Sequence, residues 1–577
     1  DERTLREVYL APFEQVLAEA EPWSVMAAYS GVDDGVESAP MTEHVRLVRE
    51  VLKEEWGYPG PVVSDWAATR STVASAVGGL DLAMPGPDGP WGDALAAAVR
   101  ADEVDEQLVD DKVLRLLRLA ARVGALDEQG PVPGPAEPAP EEFHLLREVA
   151  ARGTVLLRNE TELLPLTPDG VRSVALIGPN AVAPYLQGGG SAYVPAVRTV
   201  SYEEGLRAAL PEDVRLAVHR GGDARLRLPY ASTELLADPD TGATGIRADH
   251  LDAGGNRIGG KVDATGDWTW YDGFDPATSR VLLRTQLTLT EPGTHRLEFG
   301  CSGRFSVSVC GEEMLSGDDD RGVELVLESS HNNPPQRGID IEVGPEGRTL
   351  DLALDLAVVD AGGYGRFITA QVRHAPPGPT PYEEIAEAAA AAQAADVAVV
   401  VVGTNEEVES EGWDRTGLDL PGHQNDLVRK VIAANPRTIV VVNAGAPVLL
   451  PWADEAPALL WAWLPGQEAG HALADVLLGR IEPSGRLPWT LPARAEDVPV
   501  PDARPHDGIV DYSEGVHVGH RGWDRAGLVP AFPFGHGLGW TQWTYQSVAL
   551  TPSPVSAASL TSPAGGDGLN LTVALTN

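Results

Sequence analysis

Over residues 1–123 short apolar runs alternate with segments of helical periodicity. Residues 23–29 form an apolar run suited to a buried parallel strand. Residues 43–56 follow, with Leu47, Val48, Val51, Leu52 and Trp56 at helical spacing. Residues 61–65 (PVVSD) read as a second buried strand, 80–84 as a third, and 104–123 as an amphipathic helix. Such repetition builds βαβ units on a parallel sheet. Three units are too few for a closed eight-stranded barrel but suffice for its last part. Residues 1–124 are thus compatible with the C-terminal part of a (β/α)8 barrel.

Residues 125–140 (ALDEQGPVPGPAEPAP) read as a linker, semi-rigid where the prolines cluster. A second α/β region opens at 141 with a helix and strands over 154–157 and Ser173–Ile177. Near residue 222 the texture changes. Residues 281–290, 295–299, 304–309, 323–327, 350–358 and 366–372 read as strands, many alternating polar and apolar positions between Gly/Pro/Asp turns. That pattern predicts an antiparallel sandwich over 223–375. After a Pro-rich hinge the α/β texture returns: an Ala-rich helix (383–395) and strands over 396–402 and 438–443. The economical fold is thus α/β, with the sandwich inserted into one domain made of 141–222 and 376–497. A connecting segment (498–544) and the start of a small β-domain (545–577) complete it.

Charge changes the picture of partners. The 577 residues carry 85 Asp+Glu against 43 Lys+Arg, a formal charge of -42. A protein that binds duplex nucleic acid needs a basic footprint, and an anionic membrane surface would repel this chain. Only four lysines occur: Lys53, Lys112, Lys261 and Lys430. A neutral small molecule is the expected partner, with neither nucleic acid nor membrane. No apolar stretch reaches the ~20 residues that span a bilayer. No signal peptide opens the chain. Asp1 stands two residues before what reads as an internal helix, and 569–575 read as a strand running to the end. The natural N-terminus is thus expected upstream, and export is the expected localisation, with the cytoplasm as the alternative. Cys301 and Cys310 are too few for a disulfide framework or an all-cysteine zinc site. A tight turn at Ser302-Gly303 would pair Cys301 with a residue near 304 or 305, so both are expected to be buried free thiols.

Three places stand out for chemistry. Asp65 ends the strand at 61–65, and Trp66 follows. In barrels that end faces the active site. An indole packs on the apolar face of a pyranose while a carboxylate attacks the anomeric carbon. The plainer alternative is an Asp capping the next helix. The second place is the loop 403–415 (GTNEEVESEGWDR), where Glu406, Glu407, Glu409 and Glu411 crowd beyond a buried strand; it suits a general acid, or is a solvated loop. The third is Gln187-Gly188-Gly189-Gly190-Ser191, which lacks the Lys-Ser/Thr ending of a phosphate loop and reads equally as a tight turn presenting Ser191 to a ligand. Asp318-Asp319-Asp320 is a calcium candidate or a solvated turn. The 13 histidines show no HxxxH pair on a helix face. Neither metal nor cofactor is expected.

Together these motifs resemble glycoside hydrolase family 3, the β-glucosidase type, over nearly the whole chain. DERTLREVYLAPFE is similar to the family's helix before the sixth barrel strand. WSVMAAYSGVDDG resembles the strand and loop whose Met and Tyr line the sugar site, here Met26 and Tyr29. PVVSDW matches the nucleophile motif, which implies Asp65 as nucleophile with Trp66 as its stacking neighbour, and GLDLAMPG matches the last barrel strand. LQGGGSAYV resembles the loop bringing a serine to the site, here Ser191. ESEGWDRTGLDLPGHQ resembles the acid/base loop, which implies Glu411. The resemblance extends to LPGQEAGHALADVLLGRIEPSGRLPWTLP and to EGVHVGHRGWD with FPFGHGLGWT. It implies that 1–124 are the C-terminal part of a (β/α)8 barrel, with a PA14-like inserted sandwich and a fibronectin-III-like final domain. The family's sugar-gripping Asp, Arg and Lys-His pair belong to earlier barrel strands and have no match here. The implied activity is that of a retaining exo-acting β-glucosidase, with a glycoside substrate, glucose as product, and an oligosaccharide or small-molecule aglycone such as a macrolide. Retention requires carboxyl groups about 5–5.5 Å apart. A β-xylosidase or broad exo-glycosidase shares these motifs, and a non-catalytic carbohydrate-binding protein is the alternative of another class.

Overall fold

In the computed structural model the described residues are all but 87–88, 127–137, 168–169, 272–273, 328–331, 363–364, 412–413, 501–503, 542 and 552–569. They form two compact units, 1–138 with 499–528 and 139–498 with 529–577. Most of the expected linker, and Gly412 and Trp413 of the loop 403–415, lie outside the described residues.

In the first unit Val25–Ala27 pairs in parallel with Val62–Ser64, Met26 opposite Val63. The apolar run at 23–29 yields only three strand residues. The helix Val45–Glu55 covers this pair by burying Leu47, Val48, Val51 and Leu52. It is wound with π-type turns, and Trp56 N–H reaches Val51 O at 3.0 Å. Ala27, Val48, Leu52, Tyr58, Val62 and Leu80 make the local core. The third strand expected at 80–84 reduces to a single bridge, Val63 to Leu82. Backbone bonds from Ser64 N–H to Leu82 O at 2.9 Å and from Asp81 N–H to Val62 O at 2.8 Å remain. Side chains add to them: the Asp81 carboxylate accepts Val62 N–H at 2.7 Å, and Ser64 Oγ accepts Met84 N–H at 2.8 Å. The helix Glu106–Arg122 is capped by Asp105, whose Oδ1 accepts Gln107 N–H at 2.9 Å. It buries Lys112 and Arg115 and leaves Val113, Leu114 and Leu117 exposed, against the simple amphipathic expectation.

The second unit is built on a six-stranded sheet in the order Val155–Asn159, Ala458–Trp461, Thr438–Asn443, Val397–Gly403, Ser173–Ile177, Arg215–His219. All neighbours are parallel except the first pair. Its central strands are apolar throughout because both faces are covered. Helices Pro381–Ala394 and Gln424–Ala434 pack on one face. Helices Pro140–Gly153, Tyr202–Ala209 and Ala469–Leu477 pack on the other. The last two touch at glycines, where a Cβ on Gly205 would collide with the backbone of Gly470.

Between His219 and Pro381 the chain forms two antiparallel sheets of seven and five strands around one apolar core. Three expectations are corrected there. Residues 323–327 are not a strand: Gly322, at φ +55°, turns the chain into the short helix Glu324–Leu327, which buries Leu325 beside Val359, Ala361 and Phe367. No hairpin forms at Ser302-Gly303. Gly293–Cys301 belongs to the five-stranded sheet and Gly303–Val309 to the seven-stranded one, so the chain crosses between sheets and Cys301 pairs with Ala370. Both thiols are free, but only Cys301 is buried; Cys310 is exposed. Asp318 and Asp319 lie on the edge strand Glu312–Asp319, and among the described residues no group of His, Cys, Asp or Glu is set to hold a metal. At the chain's end Thr544–Thr551 pairs with Asn570–Thr576. Among the described residues no helix is long and apolar enough to cross a membrane.

Candidate active site

Each unit carries one cluster of the expected residues at the C-terminal ends of parallel strands. In the first unit Asp65 directly follows Val62–Ser64, and its N–H donates to Ala27 O at 3.0 Å. Asp65 is half-buried and Oδ1 accepts the N–H of Trp66 at 2.6 Å. It caps no helix, since the next one begins at Val73. Ala67 at φ +59° turns the chain sharply, with its N–H on Met84 O at 2.8 Å. That turn leaves the Trp66 indole 62% exposed beside the carboxylate. Strand alternation puts Met26, its partner Val63 and Asp65 on one face. Met26 and Tyr29 are both exposed. The first cluster therefore offers a carboxylate, an open indole and an exposed thioether on or just past two paired strands, with the Tyr29 phenol two residues beyond the first of them.

In the second unit the run 187–191 and the loop 403–411 meet. Ser191 N–H donates to Glu411 Oε2, so the expected serine engages the expected acid through its backbone. Gly190 stands at φ +69° and is a glycine on two grounds: its backbone angle, and the Glu411 side chain packed where a Cβ would sit. The glycine run holds a carboxylate rather than a phosphate. Both Ser191 and Glu411 are exposed.

The crowded glutamates separate by role. Glu409 accepts from Thr404 Oγ1 at 2.5 Å and from Gly445 N–H at 3.2 Å, fastening the loop to the sheet end. Its carbonyl accepts from the Tyr185 hydroxyl, which burial pushes up to about 12. Glu407 accepts the N–H groups of Leu226 at 2.5 Å and Arg227 at 3.2 Å; burial raises its carboxyl above the ordinary range. Glu406 is exposed. Beneath them Asn443 closes the strand end. Its side chain accepts from Asn180 and Tyr185 N–H and donates to Tyr185 O and Trp463 O, between 2.7 and 3.2 Å. Sequence reasoning did not single out Asn443, Asn180 or Tyr185. A lone amide closing the apolar strand Thr438–Asn443 is the signal that pointed to one of them.

Exposed aromatic side chains and carboxylates beyond strand ends are compatible with a carbohydrate-active hydrolase, and comparison with known proteins gives the family. The model described as Glycosyl hydrolase family 3 N terminal domain matches residues 1–119, and that of the family's C-terminal domain matches 154–540. A β-glucosidase of Rhizobium radiobacter is 34% identical over all of this chain and 68% of its own length. A probable β-glucosidase I of Aspergillus flavus is 32% identical over all of this chain and 69% of its own. Among solved structures, the β-glucosidase of Kluyveromyces marxianus in complex with glucose superposes with a TM-score of 0.78 at 28% identity, covering 96% of this chain and 67% of that one. DesR, a β-glucosidase from Streptomyces venezuelae in complex with D-glucose, gives 0.69 at 28% identity, covering all of this chain and 67% of that one. The chain belongs to glycosyl hydrolase family 3 and is a glycoside hydrolase.

Proposed function

We propose that this enzyme is a retaining, exo-acting β-glucosidase in which Asp65 is the nucleophile and Glu411 the acid/base. The observation that carries the reading is Asp65 at the end of a parallel strand, half-buried, with the Trp66 indole open beside it. Asp65 attacks the anomeric carbon as Glu411 protonates the leaving oxygen, giving a β-configured substrate an α-linked glycosyl-Asp65 intermediate. Water, deprotonated by Glu411, then displaces Asp65 and releases glucose with its β-configuration restored. Met26, Tyr29, Trp66 and Ser191 line the sugar. Residues 1–124 are read as the last part of a (β/α)8 barrel, 223–375 as a PA14-like module, and 545–577 as the start of a fibronectin-III-like domain. Glucose is the sugar that the named relatives support. Export remains the proposed localisation, and a macrolide remains one candidate aglycone for a substrate panel.

The test is a 2-deoxy-2-fluoro glucoside with a good leaving group. It is expected to trap one glycosyl unit, recovered by mass spectrometry on the peptide containing Asp65, and Asp65→Ala is expected to abolish both trapping and aryl β-glucoside turnover. Label on another carboxylate, or near wild-type turnover by Asp65→Ala, overturns the assignment.

A further inference from the structure

We infer that Glu407 is a positioning residue that ties the inserted β-sandwich to the loop carrying Glu411, so that sandwich and loop move as one body. The inference rests on the acid/base role proposed for Glu411, and it starts from an unbroken series of bonds within the second unit.

Segment 224–230 is the root of the insertion. On one side it is stitched to the strand Arg366–Ala375: Arg373 Nη1 donates to Leu228 O at 2.5 Å, and His374 N–H donates to Pro229 O at 3.0 Å. The Arg373 guanidinium also lies 4.1 Å from the Tyr230 ring centre, and Arg227 donates to Asn333. On its other side the root meets the loop. Asn405 Nδ2 donates to Ala224 O at 3.2 Å, and the Glu407 carboxylate takes the N–H groups of Leu226 and Arg227. Asn405 Oδ1 accepts Glu407 N–H at 3.0 Å, and Asn405 O accepts Glu409 N–H at 3.0 Å, so the turn 405–409 that carries the clamp is itself fixed, two residues short of the acid. Glu411 lies four residues beyond Glu407, and its carboxylate is held by Ser191 N–H.

One carboxylate accepting two adjacent backbone N–H groups is a charge-assisted clamp, shorter and stronger than neutral pairs. It is strongest in the ionised form. Arg227 and Arg373 face it and favour ionisation, while burial opposes it. Arg225 also feels this charge, as it does that of Glu406. A general acid displaced by 1 Å costs about 10²-fold. The loss falls on substrates whose leaving group needs a proton, because an activated phenolate departs without one.

The experiment compares Glu407→Ala and Glu407→Gln with wild type in the full chain, using an alkyl β-glucoside and 2,4-dinitrophenyl β-glucoside. Glu407→Ala is expected to lower kcat/KM for the alkyl glucoside by ~10–100-fold and for the dinitrophenyl glucoside by less than ~3-fold. Glu407→Gln, which keeps an acceptor oxygen, is expected to recover part of the loss. Hydrogen–deuterium exchange is expected to rise together over 224–230 and 405–411. Equal losses on both substrates, or exchange rising in one segment alone, overturns the clamp. A wild-type chain without β-glucosidase turnover removes the proposed function instead, and the exchange measurement still decides the coupling.

Discussion

Gly190 leaves no room for a side chain against Glu411: a Cβ there would lie 2.5 Å from Oε2 and 2.7 Å from Cβ of the glutamate. The backbone at Gly190 is also left-handed, at φ +69°. Gly190→Ala is therefore expected to strain the turn and push Glu411 from Ser191 N–H. About 1 Å of displacement corresponds to about 10²-fold in turnover. Alkyl glucoside hydrolysis by the purified variant checks it, with thermal melting as the control for folding. Wild-type kinetics would mean that this close approach has no bearing on the acid.

Glu411→Ala removes proton transfer and leaves the nucleophile. General acid catalysis contributes about 10²–10⁴-fold, and most where the leaving group is a poor one. The slope of log kcat/KM against leaving-group pKa is thus expected to become steeper in the variant. Added azide is expected to yield glycosyl azide, since a small nucleophile enters without the missing base. A parallel loss across all aglycones would instead assign the proton to a different group.

The positions of Asp65 and of the loop 403–411 just beyond strand ends were legible in the sequence because the apolar strands that carry them are continuous runs, whereas Glu411 was set apart from the loop's other glutamates only by the family resemblance. Ser173–Ile177 and Thr438–Asn443 kept their expected bounds for the same reason: a strand buried on both faces has no polar position to blur it. What failed depended on distant partners. Residues 80–84 shrink to one bridge with a few backbone bonds, completed by the Asp81 and Ser64 side chains. Residues 323–327 alternate like a strand, yet turn at Gly322. The edge strand Glu312–Asp319 is too acidic to read as a strand at all. The separate duties of Glu407, Glu409 and Glu411 rest on bonds to Leu226, Gly445 and Ser191, and no spacing within GTNEEVESEGWDR encodes those partners.

Lys53 and Asp81 form a buried ion pair at 2.7 Å, and the second Asp81 oxygen holds Val62 N–H under the strand that leads to Asp65. Burial lowers the Lys53 ammonium and brings its neighbour Lys112 down to about 8. Removing one partner leaves a buried charge unpaired, which costs about 3–5 kcal/mol. Lys53→Met is expected to lower the urea midpoint of the first unit's transition by that equivalent. Lys53→Met with Asp81→Asn is expected to recover part of it, because the Asp81 charge is gone while the buried Lys112 keeps only Asp111 as a counter-charge. A double variant no more stable than the single one would show that the charge is not what matters.

The His295 and His374 rings lie 5.1 Å apart and 9° from parallel, joined Nδ1 to Nε2 at 2.8 Å. His295 Nε2 is 2.8 Å from Glu291 O and donates to it, so its Nδ1 accepts the proton that His374 Nε2 carries. Both rings are buried, and burial together with the neighbouring His295 lowers His374 to about 4. An unfolded histidine titrates near 6.5, so between about 6.5 and 4 the unfolded chain binds a proton that the folded sandwich refuses. Stability from this pair is complete above pH 6.5 and is lost as pH falls toward 4. The loss amounts to about 2 kcal/mol between pH 7 and 4.5. His374→Gln retains a donor for His295 Nδ1 without the titration. Its unfolding free energy, measured in urea at successive pH values, is expected to fall less steeply than wild type over that interval. Parallel curves would assign the acid sensitivity to carboxylates alone.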